Sequence, residues 1–142
     1  LNWERGYRRW PAYGQSKLAN LLFTSELQRR LAAAGSRVRA LAVHPRYAPT
    51  ALQSKTESAV QDLFMRIANR TIAQSEDQGS WPTLFAIAED VPGDSFIGPD
   101  GPGQSRGYPH PVGRSRAAQD AETARRLWEL SERLTGVTFD LR

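Results

Sequence analysis

Apolar residues recur at three- and four-residue intervals over 13–34, at Leu18, Leu21, Leu22, Leu27 and Leu31, with Ser25 on the same stripe. That spacing predicts a helix of about six turns, long enough to pack on two sides. Gly35, after a run of alanines, predicts its stop, because glycine accepts the left-handed backbone that closes a helix. The pattern then changes. Residues 38–43 are short, largely apolar and followed by Pro45, as in a buried parallel strand. A helical stripe returns over 56–72, with Val60, Leu63, Phe64, Ile67, Ala68 and Ile72. Ser80 and Pro82 predict another helix over 81–88, with the proline near its first turn. The stretch 91–113 is rich in glycine and proline, interrupted by Ser95, Phe96, Ile97 and Gly98, which read as a short strand. Ala124, Leu127, Trp128 and Leu134 predict a last amphipathic helix over 120–134, closed by Gly136. Helix, short turn and buried strand make half of a βαβ unit, so the chain reads as α/β and mostly helical.

Composition narrows the chemistry. At 142 residues, 39% hydrophobic and 24% charged, the chain is long enough for one domain with its own core. It has no cysteine, and His44 and His110 are its only histidines, so no metal centre is expected. No apolar run approaches the roughly 18 residues of a membrane helix, and a cytoplasmic location is expected. The net charge is +4. Its arginines are scattered in pairs such as Arg8-Arg9 and Arg125-Arg126 and mixed with acids, unlike the single basic face of a nucleic-acid binder. No nucleic-acid partner is expected. The run from Gly98 to Gly103 superficially offers a phosphate loop, but its prolines lack the amides that cradle phosphate, and it reads as a surface turn.

The strongest chemical signal opens the first helix. Tyr13 and Lys17 are four residues apart, so both lie on one helix face and can address one reacting atom. An ammonium beside a phenol favours the phenolate, which lets it exchange a proton with a carbonyl or alcohol oxygen. Taken alone the spacing is common on solvated helix faces.

The words around the pair are more specific. Tyr13-Gly14-Gln15-Ser16-Lys17-Leu18-Ala19-Asn20 resembles the active-site helix of the short-chain dehydrogenase/reductase family, in its retinol-dehydrogenase-like branch. The resemblance implies that Tyr13 is the general acid/base and that Lys17 lowers its pKa and contacts the nicotinamide ribose. It implies NAD or NADP as cofactor, a small alcohol or carbonyl substrate of lipid-like character, and the C-terminal portion of a Rossmann-type doubly wound parallel sheet. Ligands of such sheets sit beyond the carboxyl ends of strands. Beyond the strand at 38–43 come His44-Pro45-Arg46-Tyr47-Ala48-Pro49-Thr50, similar to the family's His-Pro-Gly-x-x-x-Thr loop. By that match Pro45 and the Ala48 amide hold the nicotinamide end, and the Thr50 hydroxyl contacts its carboxamide or a phosphate. Arg46 stands where the family has glycine; it either strains or obstructs the loop, or pairs with the cofactor phosphates. The family uses the region of Phe64 and Met65 as a lid over substrate, while the stripe there also reads as plain core. The tail, including Gly107-Tyr108-Pro109, matches as well.

The resemblance covers nearly all of 1–142 as the rear part of one domain. The family's Gly-rich strand-turn-helix, its Asn-Asn-Ala-Gly segment and its substrate-orienting serine have no counterpart in the sequence; Ser16 lies inside the Tyr-Lys turn. With Leu1 first, the chain reads as a fragment or shortened product, inactive alone and inclined to self-associate. The competing expectation is a degenerate, non-catalytic interaction module. The residues that tell NAD from NADP belong to the front half.

Overall fold

The structure, a computed structural model, describes residues 6–44, 76–104 and 106–139. Its elements run α1 (Arg9–Ala33), β1 (Ala42–Val43), α2 (Glu76–Ala88), β2 (Phe96–Pro99), a 3₁₀ turn (Pro102–Gln104), β3 (Pro109–Pro111), a second 3₁₀ turn (Arg116–Gln119) and α3 (Ala121–Thr135). They fall into two compact units, one of 1–42, 92–94 and 113–142, the other of 43–91 and 95–112. The helical stripe expected over 56–72 lies outside the described residues.

In the first unit α1 packs against α3 and against the second 3₁₀ turn. Leu22, Leu31, Ala118, Ala124 and Trp128 are buried there. Each fully buried large apolar side chain contributes about 1.5–3 kcal/mol. Phe23 stacks on Trp128 at 5.1 Å between ring centres, and the Arg30 guanidinium lies 4.6 Å from the centre of the Trp128 ring. Glu26, also buried at 1% exposure, accepts from Arg29 at 2.7 and 2.8 Å and from Arg30 at 2.7 Å. A buried carboxylate is tolerable only with such partners.

The helix ends follow the residues. α1 starts four positions ahead of the periodic stripe. Pro11 permits this because the first-turn amides have no helical acceptor anyway. Gly35 at φ +66° ends it: Gly35 N–H donates to Ala32 O and Ser36 N–H to Leu31 O, both at 3.0 Å. Asp120 caps α3, accepting from Thr123 N–H at 3.1 Å and Thr123 Oγ1 at 2.8 Å, and Gly136 at φ +70° closes it. Leu134 differs from the expected stripe; it is 77% exposed in the last turn, where no described element covers it.

In the second unit the sheet order is β1-β2-β3, and β2 pairs antiparallel with β3, Gly98 opposite His110. Pro109 and Pro111 confine β3 to an edge, since proline gives no ladder donor. The loop between β2 and β3 is a hairpin connection: Asp100 N–H donates to Tyr108 O at 3.0 Å and Gly101 N–H to Arg106 O at 2.8 Å. Those amides are spent on the turn, so the glycine-proline run is not a phosphate cradle. α2 packs on β2 and β3, with Trp81 stacked on Tyr108 at 5.8 Å.

Two expectations change in detail. α2 begins at Glu76 rather than near Trp81, so Pro82 sits inside the helix, with its ring fully buried. One backbone hydrogen bond is lost there, and apolar burial of the ring offsets it. The strand expected over 38–43 pairs only at Ala42–Val43. Upstream, Val38 is 64% exposed, and Ala40 is bonded through its N–H to Gln28 Oε1 and through its carbonyl to Asp94 N–H, both at 2.8 Å. A side chain and a turn take the groups that a neighbouring strand would use.

Candidate active site

The first turns of α1 carry a row of four side chains. Residues 10, 13 and 17 are spaced by three and four positions and are therefore neighbours on the helix surface. The Lys17 ammonium lies 5.4 Å from the centre of the Tyr13 ring, within cation–π range. The Trp10 ring meets Tyr13 in a T-shaped arrangement, at 6.4 Å and 88°. The Arg9 guanidinium lies 5.3 Å from the centre of Trp10. The order is cation, ring, ring, cation. Tyr13 is 51% exposed and Trp10 65%, so a ligand can reach the phenol. Leu22, further along the helix, anchors α1 in the core. The Ser16 hydroxyl donates to the Tyr13 carbonyl at 2.7 Å and is spent on the helix backbone.

A proton-transfer pair is what this arrangement can be: a phenol that gives or takes a proton, with a fixed positive charge one turn away. Lys17 is exposed beside it.

His44 opens the expected cofactor loop and sits in the second unit. Its N–H donates to Ile97 O at 3.0 Å, its Nε2 lies 3.1 Å from Gln104 Oε1, and its ring is 5.0 Å from that of Phe96. The ring lies over Gly98, where an added Cβ would overlap it. Pro45, Arg46, Ala48 and Thr50, and the lid candidates Phe64 and Met65, lie outside the described residues. The structure thus brings Tyr13 and Lys17 together and leaves the remaining site residues as expectations.

One polar cluster corresponds to no motif in the sequence. Arg114 donates from Nη1 to Asp94 Oδ1 and from Nη2 to Asp94 Oδ2, both at 2.8 Å, and Ser25 Oγ donates to Asp94 Oδ1 at 2.7 Å. Burial works to raise the Asp94 carboxyl, but the bonds from Arg114 and Ser25 and the Arg114 charge outweigh it, so the group titrates below the ordinary range. Glu26 is likewise held low, by its bond from Arg29 first, against burial, and then by Arg30. Among the described residues no group of His, Asp and Glu is placed to hold a metal ion, and no helix is long and apolar enough to cross a membrane.

No family model matches the chain. Individual proteins do. Retinol dehydrogenase 13 of Homo sapiens is 39% identical over 145 residues, covering 96% of this chain and 40% of that protein. Retinol dehydrogenase 12 of Mus musculus is 35% identical, covering 91% of this chain and 37% of its own length. A short chain dehydrogenase/reductase of Gibberella zeae is 32% identical, covering 84% and 33%. A crystal structure of an uncharacterized protein from Mycobacterium paratuberculosis is 50% identical, with a TM-score of 0.73 over 99% of this chain and 44% of that one. The chain spans about 40% of the length of the first of these relatives. Its fold is the expected α/β one.

Proposed function

This chain matches the C-terminal part of the short-chain dehydrogenase/reductases of the retinol-dehydrogenase-like branch, and we propose that it carries the proton-transfer half of an NAD(P)(H)-dependent oxidoreductase. The reaction interconverts an alcohol and a carbonyl. A bound nicotinamide supplies or accepts the hydride. Tyr13 gives its hydroxyl proton to the carbonyl oxygen on reduction and takes it back on oxidation. Lys17 stabilises the phenolate that remains and holds the ribose. Trp10 and Tyr13 present an apolar approach to that oxygen, which suits a substrate with a flat or lipid-like body.

One observation carries this reading: the Lys17 ammonium is seated 5.4 Å from the ring of a half-exposed Tyr13, inside the sequence that resembles the family's active-site helix. The loop residues Pro45, Ala48 and Thr50 are assigned to the nicotinamide end on the strength of their motif. The test is to complete the chain with the Gly-rich front half of a relative and to follow NADH and NADPH oxidation with a panel of aldehydes and ketones. Turnover that is lost in Tyr13→Phe supports the assignment. Absence of turnover with every carbonyl, in a folded chimera that binds cofactor, supports the non-catalytic alternative.

A further inference from the structure

Four polar groups, drawn from three segments far apart in the sequence, close a ring around one point of α1. Ser25 and Gln28 are three residues apart and share a helix face. Ser25 Oγ donates to Asp94 Oδ1 at 2.7 Å, and Gln28 Oε1 accepts from Ala40 N–H at 2.8 Å. Asp94 N–H donates to the Ala40 carbonyl at 2.8 Å, which closes the ring. Arg114, only 14% exposed, grips both oxygens of Asp94 and also donates to Ser25 Oγ at 2.8 Å. Asp94 adopts a left-handed backbone at φ +66°, unusual for a residue with a side chain, and its neighbour is Gly93, where an added Cβ would overlap the Gln28 side chain. The backbone is bent to bring Asp94 to this place.

We propose that Asp94, gripped by Arg114, is a positioning residue that fixes the axial placement of α1, and with it Tyr13 and Lys17, against the chain at Ala40. The inference rests on the proton-transfer role given above to that pair. The contacts of α1 with α3 are apolar packing, Phe23 stacked on Trp128 and the Arg30 guanidinium near the same ring, all less directional than a hydrogen bond, so they leave a helix free to slide along its axis by fractions of a turn. Hydrogen bonds restrict distance and angle together. Bidentate pairing of a guanidinium with a carboxylate restricts them most. Ser25 is about 12 Å along the helix from Lys17 and about 18 Å from Tyr13 at the ordinary rise per residue. A helix passes an axial shift along that distance almost undiminished. A misplacement of about 1 Å at a reacting group can cost about a hundredfold in rate.

Arg114→Gln and Asp94→Asn break the grip, Arg114→Lys keeps its charge, and Glu26→Gln is a control whose bonds to Arg29 and Arg30 stay within α1. In the chain itself, amide exchange at 22–28 and at Ala40 accelerates in Arg114→Gln and not in the control. In the completed enzyme, kcat per folded molecule falls about tenfold or more in Arg114→Gln, Arg114→Lys recovers part of it, and cofactor affinity stays within about twofold. A residue that only stabilised the fold would lower the folded fraction and leave kcat per folded molecule at the level of the control, which overturns the proposal. Unchanged exchange in a working enzyme overturns it as well, while leaving the proton-transfer reading standing. A folded parent that turns over no carbonyl removes the proton-transfer reading, and the positioning role with it.

Discussion

The Lys17 ammonium stands over the Tyr13 ring, 5.4 Å from its centre, with one helical turn between the two residues. Trp10 meets the same ring in a T-shaped contact. The phenol ring thus has a cation and an aromatic ring as neighbours while half of the residue stays exposed. Lys17 has two tasks in the proposed reaction. In the completed enzyme, Lys17→Ala should weaken both cofactor binding and turnover. Calorimetric titration with NADPH and steady-state kinetics separate the two, and a harmless Lys17→Ala would reduce the pair to a surface contact.

Gly98 makes room for the His44 ring. Gly98→Ala should destabilise the chain by about 1–3 kcal/mol, the ordinary range for overpacking. The loss should show as a lower urea midpoint at unchanged slope. Adding His44→Ala should recover part of it, because the two changes meet at one contact. Equal losses in the single and double variants would mean that His44 is not what Gly98 accommodates.

Acid should weaken the first unit through Asp94 and Glu26. Both carboxyls titrate lower in the folded chain than their ordinary values. Each contribution is thus complete above the unfolded value, about 4, and is lost as pH falls from there through the depressed folded value. Stability against urea should be flat in these groups near neutrality and fall below about pH 4. In Asp94→Asn or Glu26→Gln that fall should be shallower, with a lower plateau at neutral pH. Parallel curves for parent and variants would show that neither carboxyl is linked to folding.

The 142-residue chain by itself should bind NADPH weakly and self-associate. Its sequence has no Gly-rich turn for the pyrophosphate, and Val38, Leu84 and Ile87 are exposed apolar side chains. Light scattering coupled to size exclusion, with a calorimetric titration, checks both. A monomer with low-micromolar affinity would contradict the expectation.

Much of this was legible in the sequence because it is local. The period of Leu18, Leu22 and Leu31 marks α1, and Gly35 and Gly136 end helices for a reason carried by a single residue. Tyr13 and Lys17 are legible for the same reason, four residues apart on one helix. The extent of β1 was not, since it depends on Gln28 and Asp94 taking the backbone groups of Ala40. Pro82 misled because a helix start is the ordinary place for proline, whereas here tertiary burial holds it inside α2. The Ser25–Asp94–Arg114 cluster joins positions 20 to 89 residues apart, a separation no short-range pattern reports.

In the proposed reaction the Tyr13 hydroxyl is the group that moves the proton. Tyr13→Phe removes one oxygen and keeps the ring against Lys17 and Trp10, so packing is preserved while proton transfer is not. In the completed enzyme, with cofactor saturating, kcat for carbonyl reduction should fall by about 10²- to 10⁴-fold, the usual contribution of a general acid. NADPH affinity should stay within a few-fold of the parent. A kcat within a few-fold of the parent would contradict the assignment of Tyr13 as the acid/base.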